Sequence, residues 1–449
     1  MGSGRGVALV MMCAGMFFVL LDVTTVNVAL PSIGAGVGTR HLADLQWVVD
    51  GHQVALAGLL PAGLALGDRY GHRRVVVIGF AVFALASAAC ALAPGIGALV
   101  AARVAQGAGA ALLLSTTPAL IGALHPGRAV GAWAAVGSLA LPAGPVLGGA
   151  LVRYLGWPWV FWLNVPVIAL VILVVLRTVP EHDPEGETEP RPLDVLGVVL
   201  GTATLTLAVF IVIEAGRLGT YARPVWLAAA VAVACGVAFT QVEGRKEDPA
   251  LPMALLRRPS IALGTVAAAT MNFGVHGVML LLTFYLQAVR HLTPLAAGVS
   301  LLTLFVPLVV LPALGGRLAG RHGPRPVMLA GLVLLVAGFL LLLRLTPESA
   351  YVPLFPAMAV IGAGAGLLTS SVVALTRSAA PPGGEGPAGL LDNTARQAGG
   401  AMGVAVLGAL AGDPATPDTF VTGLRHAALV AAAAFLAVAV LTVVTRADV

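Results

Sequence analysis

Residues 16–31 read MFFVLLDVTTVNVALP. With its flanks from about residue 7 onward, the run supplies the ~20 apolar residues that one membrane-spanning helix needs. It nevertheless carries a carboxylate, Asp22, among aliphatic neighbours. An acid in hydrocarbon is expensive to keep, and those that persist serve proton or ion pathways or partner a buried cation. The stretch therefore reads as a membrane helix with an ion-responsive group. It runs through Asn27 to Pro31 without a small-residue cleavage site, which fits a retained span rather than a signal peptide.

The rest of the chain agrees with that reading. Of 449 residues, 59% are hydrophobic and 10% charged, and the mean hydropathy is +0.97, far from the ~25% charged of soluble domains. An all-α polytopic membrane protein is expected. The net charge of +5 is spread over short turns rather than gathered into a basic domain, so nucleic acid is not an expected partner. Cys13, Cys90 and Cys235 lack any CxxC or Cys/His spacing, so neither a disulfide framework nor a metal site is expected.

Fourteen apolar segments lie between turn signals, starting near residues 7, 46, 75, 96, 130, 159, 194, 224, 261, 294, 327, 352, 389 and 423. An even count puts both termini on one side. With cytoplasmic termini, the inner side collects sixteen basic residues, among them Arg69, Arg73, Arg74, Arg128, Arg191, Lys246 and Arg446; the outer side collects seven, including Arg40, Arg217 and Arg290. The positive-inside bias selects N-in, C-in. The Pro- and Glu-rich stretch from Pro180 to Asp194 reads as a flexible cytoplasmic linker.

Two internal echoes organise the spans. Residues 67–73, GDRYGHR, recur as 319–325, AGRHGPR, and residues 107–113, GAGAALL, recur as 362–368, GAGAGLL, at offsets of 252 and 255. Nearly equal offsets indicate duplicated six-helix halves with two surplus helices between them. The expected units are an N-terminal bundle at 1–179, a cytoplasmic linker at 180–193, two extra helices at 194–243, a cytoplasmic loop at 244–260 and a C-terminal bundle at 261–449. Duplicated halves around a midplane site are a transporter architecture with rocking-bundle alternating access.

Four motifs then occur in order: LDVTTVNVALP at 21–31, GDRYGHRR at 67–74, RVAQGAGAA at 103–111, and GPVLGG at 144–149 followed by GWPWVFWLNVPV at 156–167; YLQ at 285–287 and TARQAGGAMGVAV at 394–406 extend the match. On these residues the chain resembles the major facilitator superfamily, and more narrowly its fourteen-spanner drug:proton antiporters. The resemblance implies two six-helix bundles plus two central helices, with no enzymatic activity and no cofactor. It implies Arg103 as a buried arginine of proton transfer, a latch built from Asp68, Arg69, Gly71, Arg73 and Arg74, and an exporter motif at Gly144, Pro145, Gly148 and Gly149.

The residues themselves add detail. Burial and neighbouring charge move a carboxyl's proton affinity in opposite directions, so Asp22 can switch charge as access alternates; the other reading is a structural acid permanently paired with arginine. Thr25, one turn on, is placed to donate to it. The repeat counterpart of Arg103 is Met358, so the duplicated scaffold does not require a guanidinium there. Ala140, Gly144 and Gly148 form a small-residue ridge. Thr25, Asn27, Asp50, Gln106, His276 and Gln287 are the candidate substrate-binding set. Asp50 reads either as an outer cation or proton group or as a wetted helix end, Glu214 as solvated, and Asp392 with Arg396, at i and i+4, as a neutralising pair.

No GxxxxGK[ST] occurs and Lys246 is the sole lysine, which excludes a phosphate-cradling ATP site of that type. The expected function is a monomeric plasma-membrane exporter of amphipathic small molecules or antibiotics driven by protons. Proton-coupled nutrient symport and a non-transporting membrane sensor or scaffold are the alternatives.

Overall fold

The computed structural model describes residues 2–39, 41–124, 129–180, 193–246, 249–349 and 351–445. Most of the linker expected at 180–193, and Arg40, Arg128, Arg191 and Arg446 of the charge count, lie outside the described residues. Among the described residues the chain is helical, with fourteen long helices: α1 Gly2–Val37, α2 Leu42–Tyr70, α3 His72–Ala91, α4 Ile96–Leu124, α5 Ala129–Tyr154, α6 Trp159–Thr178, α7 Val195–Leu218, α8 Arg223–Glu243, α9 Pro259–Val289, α10 Pro294–His322, α11 Pro324–Leu341, α12 Tyr351–Ala379, α13 Glu385–Ala411 and α14 Pro417–Val444. Thirteen are long and apolar enough to cross a membrane. The exception, α13, carries Asp392, Asn393, Arg396 and Gln397, which it can afford because it packs between α9 and α2.

The duplication is visible at the level of helix ends and close contacts. Helix α2 spans Leu42–Tyr70 and α10 Pro294–His322, displaced by 252 at both ends; α4 and α12 are displaced by 255 at both ends. Gly71 and Gly323 turn the chain between paired helices at φ +90° and +85°, a region that glycine enters without steric cost. Where α3 crosses α4, a Cβ on Gly109 would meet the Gly79 oxygen at 2.9 Å and the Phe83 nitrogen at 2.8 Å. At the matching crossing of α11 and α12, a Cβ on Gly364 would likewise meet the Gly331 oxygen at 2.7 Å and the Leu335 nitrogen at 2.8 Å. Small residues that let backbones approach closely are the general device for packing helices in lipid, where burying apolar surface yields no driving force.

The two halves meet along two related seams, α5 with α10 and α2 with α13. In the first, a Cβ on Gly298 would run into the Pro145 carbonyl and one on Gly149 into the Pro294 carbonyl. Both contacts lie toward the end of the bundle that carries Gly156, whereas Gly131 of α5 and Gly316 and Gly320 of α10, toward the Gly71 end, have nothing within 4 Å of a Cβ. Gly298→Ala should therefore destabilise this packing by about 1–3 kcal/mol, the usual range for overfilling a close-packed site, while Gly320→Ala should be neutral or slightly stabilising, since alanine is the better helix former. Thermal unfolding of the purified protein checks both.

The surplus helices have definite neighbours. Helix α7 lies against both α2 and α13, and α8 lies against α7. Val209 and Ile213 of α7 join Val54 of α2 and Ala401 and Ala405 of α13 in one buried cluster, and the Phe210 ring lies 6.3 Å from that of Trp47 at a tilt of 47°. At the Gly71 end a polar clasp fastens the pair. Asp194 caps α7 through the Gly197 amide at 2.7 Å and pairs with Lys246, while Glu243 accepts from the Leu251 amide at 3.0 Å. Burial pushes the Asp194 carboxyl up, but the Lys246 and Gly197 hydrogen bonds outweigh it and hold the group below the ordinary aspartate value. A carboxyl so lowered contributes stability that is complete above its unfolded value and is lost as pH falls through the folded one. Lys246→Met is expected to loosen the clasp at neutral pH and to matter less on acidification; hydrogen exchange of residues 193–198 is the measurement.

Candidate functional site: a buried ionic network between α1 and α4

Asp22 of α1 is 1% exposed and Arg103 of α4 is also 1% exposed. The Arg103 guanidinium Nη1 donates to Asp22 Oδ2 in a close ion pair and to Gln106 Oε1. Its Nε donates to the Val48 carbonyl of α2 at 2.9 Å, and its carbon centre lies 5.9 Å from the Phe161 ring. The other carboxylate oxygen accepts from Gln106 Nε2 at 3.0 Å and from Asn164 Nδ2 at 2.9 Å. Ser87 of α3 completes the set, its hydroxyl accepting from Gln106 at 2.8 Å. Five helices thus supply one closed network in the interior of the N-terminal half.

An isolated charge at this depth is strongly unfavourable, and its cost is offset only by pairing and hydrogen bonding. Asp22 is satisfied on both oxygens. Arg103 has two acceptors besides Asp22, the Val48 carbonyl and Gln106, so the guanidinium keeps partners if the carboxylate is neutralised. That redundancy distinguishes the arrangement from a simple two-member ion pair. At the repeat position, Met358 is fully buried, and a thioether fills the corresponding space.

The other residues singled out by sequence separate into groups. Gln106 belongs to the network rather than to a substrate surface. Thr25 does not donate to Asp22; its hydroxyl turns back to the Leu21 carbonyl at 2.7 Å and reaches the Gly144 carbonyl at 3.3 Å, because a helical threonine finds its own i−4 carbonyl most readily. The ridge of α5 meets α1 at this point: a Cβ on Gly144 would strike Thr24, and one on Gly148 would lie 2.7 Å from Thr25. Pro145 and Gly149, on another side of the same helix, face α10 as described above. The segment expected from sequence to be an exporter motif thus touches both its own half and the opposite one.

Asn27 and Gln287 stand between the halves. Asn27 accepts from Thr283 of α9 at 3.1 Å, and Gln287 donates to the Val28 carbonyl at 2.9 Å. Gln287 sits in a π-helical turn, Tyr285–Val289, the widened form that recurs at functional positions. Across the α2–α13 seam Gln46 donates to the Val404 and Ala405 carbonyls at 2.8 and 3.0 Å. Asp50 is no wetted helix end: α2 begins at Leu42, two turns earlier, and Asp50 is 0% exposed. Glu214 is likewise largely buried, 4.0 Å from Arg217, which also reaches Asp44 at 3.5 Å. His276 bonds the Asn272 carbonyl of its own helix at 3.1 Å, and Arg396 pairs with Asp392 at 2.9 Å.

In the segment expected from sequence to be a latch, Asp68 lies 3.6 Å from His72 across the Gly71 break, and Arg73 donates to the Leu176 carbonyl at the end of α6 at 2.8 Å. Arg69 packs over the Tyr70 ring at 5.6 Å, and Arg74 follows Arg73 in the first turn of α3. The network members not named from sequence are Ser87, Asn164 and Val48. Asn164 had a legible signal, an amide side chain inside an apolar span; Ser87 is one of many small polar residues, and a backbone carbonyl leaves no mark in sequence.

The Major Facilitator Superfamily family model matches residues 12–404 and 263–448. Multidrug resistance protein Stp of Mycobacterium tuberculosis (strain CDC 1551 / Oshkosh) is 35% identical over 402 residues, covering 88% of this chain and 74% of that protein. The tetracenomycin C resistance and export protein of Streptomyces glaucescens is 35% identical over 416 residues, covering 90% and 75%. Puromycin resistance protein pur8 of Streptomyces alboniger is 33% identical over 455 residues, covering 97% and 89%. Among solved structures, an inward-facing, unoccupied bacterial homologue of the human lysosomal transporter Spinster superposes with a TM-score of 0.69 at 15% identity, covering 98% of this chain and 97% of that one. The human organic anion transporter TETRAN superposes at 0.68 with 16% identity, covering 98% and 99%. With duplicated halves, the motifs in order and these matches over nearly its full length, the chain belongs to the Major Facilitator Superfamily of membrane transporters.

Proposed function

We propose that this transporter exports amphipathic small molecules or antibiotics across the plasma membrane in exchange for protons, with Asp22 and Arg103 as the coupling pair. The observation that carries the reading is the buried Asp22–Arg103 network, in which the arginine has two further acceptors. In the deprotonated state the carboxylate and guanidinium neutralise each other. A proton arriving on Asp22 removes the charge that holds Arg103, which then rests on the Val48 carbonyl and Gln106. Because Val48 belongs to α2 and Asp22 to α1, the exchange shifts force between two helices that pack on different partners. Resistance and export proteins among its relatives support the outward direction and the substrate class.

The same reading takes 1–179 and 261–449 as the rocking units, 194–243 as accessory helices and 180–193 and 244–260 as cytoplasmic connections, in a functional monomer. Both termini are placed in the cytoplasm, so that Gly71 and Gly323 face inward and Gly156 outward. In that orientation, seams closed toward Gly156 and open helix flanks at Gly131, Gly316 and Gly320 correspond to an inward-open pose. Asp68, Arg69, Gly71, Arg73 and Arg74 form the latch at the open side, and Asn27, Gln287 and His276 remain candidate substrate contacts.

One proton moving through about 100 mV releases about 2.3 kcal/mol, and one pH unit adds about 1.4. Together they sustain a several-hundredfold gradient of a neutral compound. The test is accumulation of puromycin and ethidium in cells lacking their own pumps, with and without a protonophore. Lower accumulation that the protonophore restores is the expected result; accumulation unaffected by expression of the protein contradicts the reading.

A further inference from the structure

The clasp at the Gly71 end of the surplus helices sets two acids against one base. Asp194 at the start of α7 and Glu243 at the end of α8 are 7% and 3% exposed. A Cβ on Gly197 would run into Glu243 Oε1 and lie 2.6 Å from Asp194 Oδ2, so the two carboxyls crowd one point. Lys246 Nζ pairs with Asp194 Oδ1, which also accepts from the Gly197 amide. Glu243 Oε2 accepts from the Leu251 amide at 3.0 Å, whereas Glu243 Oε1 is buried with no donor among the described residues. It stands beside Asp194, acceptor to acceptor, and a proton held between the two side chains satisfies both.

Among the described residues the surroundings supply no second cation to the pair. After α8, Arg245 is exposed, and Glu247 and Asp248 lie outside the described residues. In the short turn Met253–Arg257 that leads into α9, Arg257 is exposed, and Arg258 beside it donates to the Ala379 carbonyl at 3.0 Å. On α2, Asp68 faces His72 and Arg69 lies over the Tyr70 ring. On α13, Glu385 is exposed and Asp392 is bound to Arg396. Two carboxylates in contact repel strongly, and such a pair keeps one proton between them. With that proton the set of Asp194, Glu243 and Lys246 is neutral overall. Without it the set carries one uncompensated negative charge.

What the clasp fastens gives the proton a consequence. Besides the Leu251 bond, Asp194 Oδ2 accepts from the Ala250 amide at 3.4 Å, so the clasp ties the start of α7 to the segment that enters the C-terminal half. At its other end α7 is tied to the N-terminal half, where Arg217 reaches Asp44 of α2 at 3.5 Å. Val198 and Ala250 border one cavity of about 180 Å³ together with Pro61 and Ala65 of α2 and Leu390 of α13. We propose that Asp194, Glu243 and Lys246 form a proton-operated fastening of the surplus helices, closed while the carboxyls share one proton and loosened when it leaves. Closed, it joins α7 to the segment entering the second half. Loosened, it lets that end of α7 part from the segment while Arg217 keeps the other end on α2. The Gly71 end is cytoplasmic in the orientation proposed above, so the fastening reads the pH of one side and not the difference across the membrane.

Hydrogen exchange of the purified protein tests it. A proton bound only in the closed clasp stabilises that state most at low pH. The stabilisation is lost as pH rises above the ordinary glutamate value of about 4.3, until the proton has left. Protection of the amides of residues 193–198 and 250–251, corrected for the intrinsic pH dependence of exchange, should therefore fall by up to tenfold per unit between about pH 5 and 8. In Glu243→Gln, whose amide can donate to Asp194 at every pH, protection should stay high and flat. Glu243→Ala should lose the slope as well, at a lower level of protection. Protection that does not change with pH in the native protein, or that falls equally in the two variants, overturns the proposal. So does an equal fall at residues 213–218 around Arg217, which marks loosening of the whole helix. Neither result depends on transport, so a failure of the exchange reading shows in vesicle flux and not here.

Discussion

Asp22→Asn is expected to abolish pH-driven export, collapsing a several-hundredfold limiting gradient to about one, while leaving the protein folded and in the membrane. Asparagine is close in size and still accepts from Gln106 or Asn164 through its amide oxygen, but it cannot take up and release a proton. The buried arginine loses its charged partner yet keeps the Val48 carbonyl at 2.9 Å and the Gln106 oxygen. Expression and thermal stability should therefore change far less than transport. Facilitated flux of a compound down its own gradient should persist, which separates loss of coupling from loss of the substrate path. Efflux in Asp22→Asn that still follows the pH gradient removes Asp22 from the mechanism.

The second large effect is on stability. Arg103→Met installs the residue that the repeat carries at Met358, yet it leaves the Asp22 carboxylate buried without its cation. Breaking one side of a buried pair costs about 3–5 kcal/mol, more than replacing both members. The single variant should thus unfold at markedly lower temperature, and the Asp22→Asn/Arg103→Met double variant should recover most of the difference. Groups in one network are non-additive, with coupling of about 0.5–3 kcal/mol. Strictly additive changes in unfolding temperature contradict the network as drawn.

Much of the architecture was legible because membrane helices leave strong marks. Each observed helix begins within six residues of its expected start, since apolar runs are bounded by glycine, proline and charge at the turns. The duplication could be read from two short echoes, and the close contacts of Gly109 and Gly364 show why they persist: both sit where a backbone crosses within van der Waals distance. Asp22 and Arg103 were legible as expensive intramembrane charges, but their direct pairing needed the three-dimensional register of α1 and α4.

What stayed hidden depends on which way a side chain turns. Thr25 had the right spacing for Asp22, yet its hydroxyl is occupied by the Leu21 and Gly144 carbonyls. Asp50 looked like a wetted helix end because Leu42 to Val49 mixes polar and apolar residues, and only the packing of α13 and α7 over it reveals full burial. The surplus helices gave no functional signal, since their cluster at Val209 and Ile213 resembles any lipid-facing run until its neighbours are known.

Proton movement in response to substrate is the most direct measurement. Inside-out vesicles are acidified in the lumen, puromycin is added outside, and lumenal pH is followed with a fluorescent indicator. Exchange predicts that puromycin alkalinises the lumen in vesicles bearing the native protein and leaves the lumen unchanged with Asp22→Asn. Puromycin entry with no proton efflux, or equal alkalinisation by the two proteins, contradicts the account.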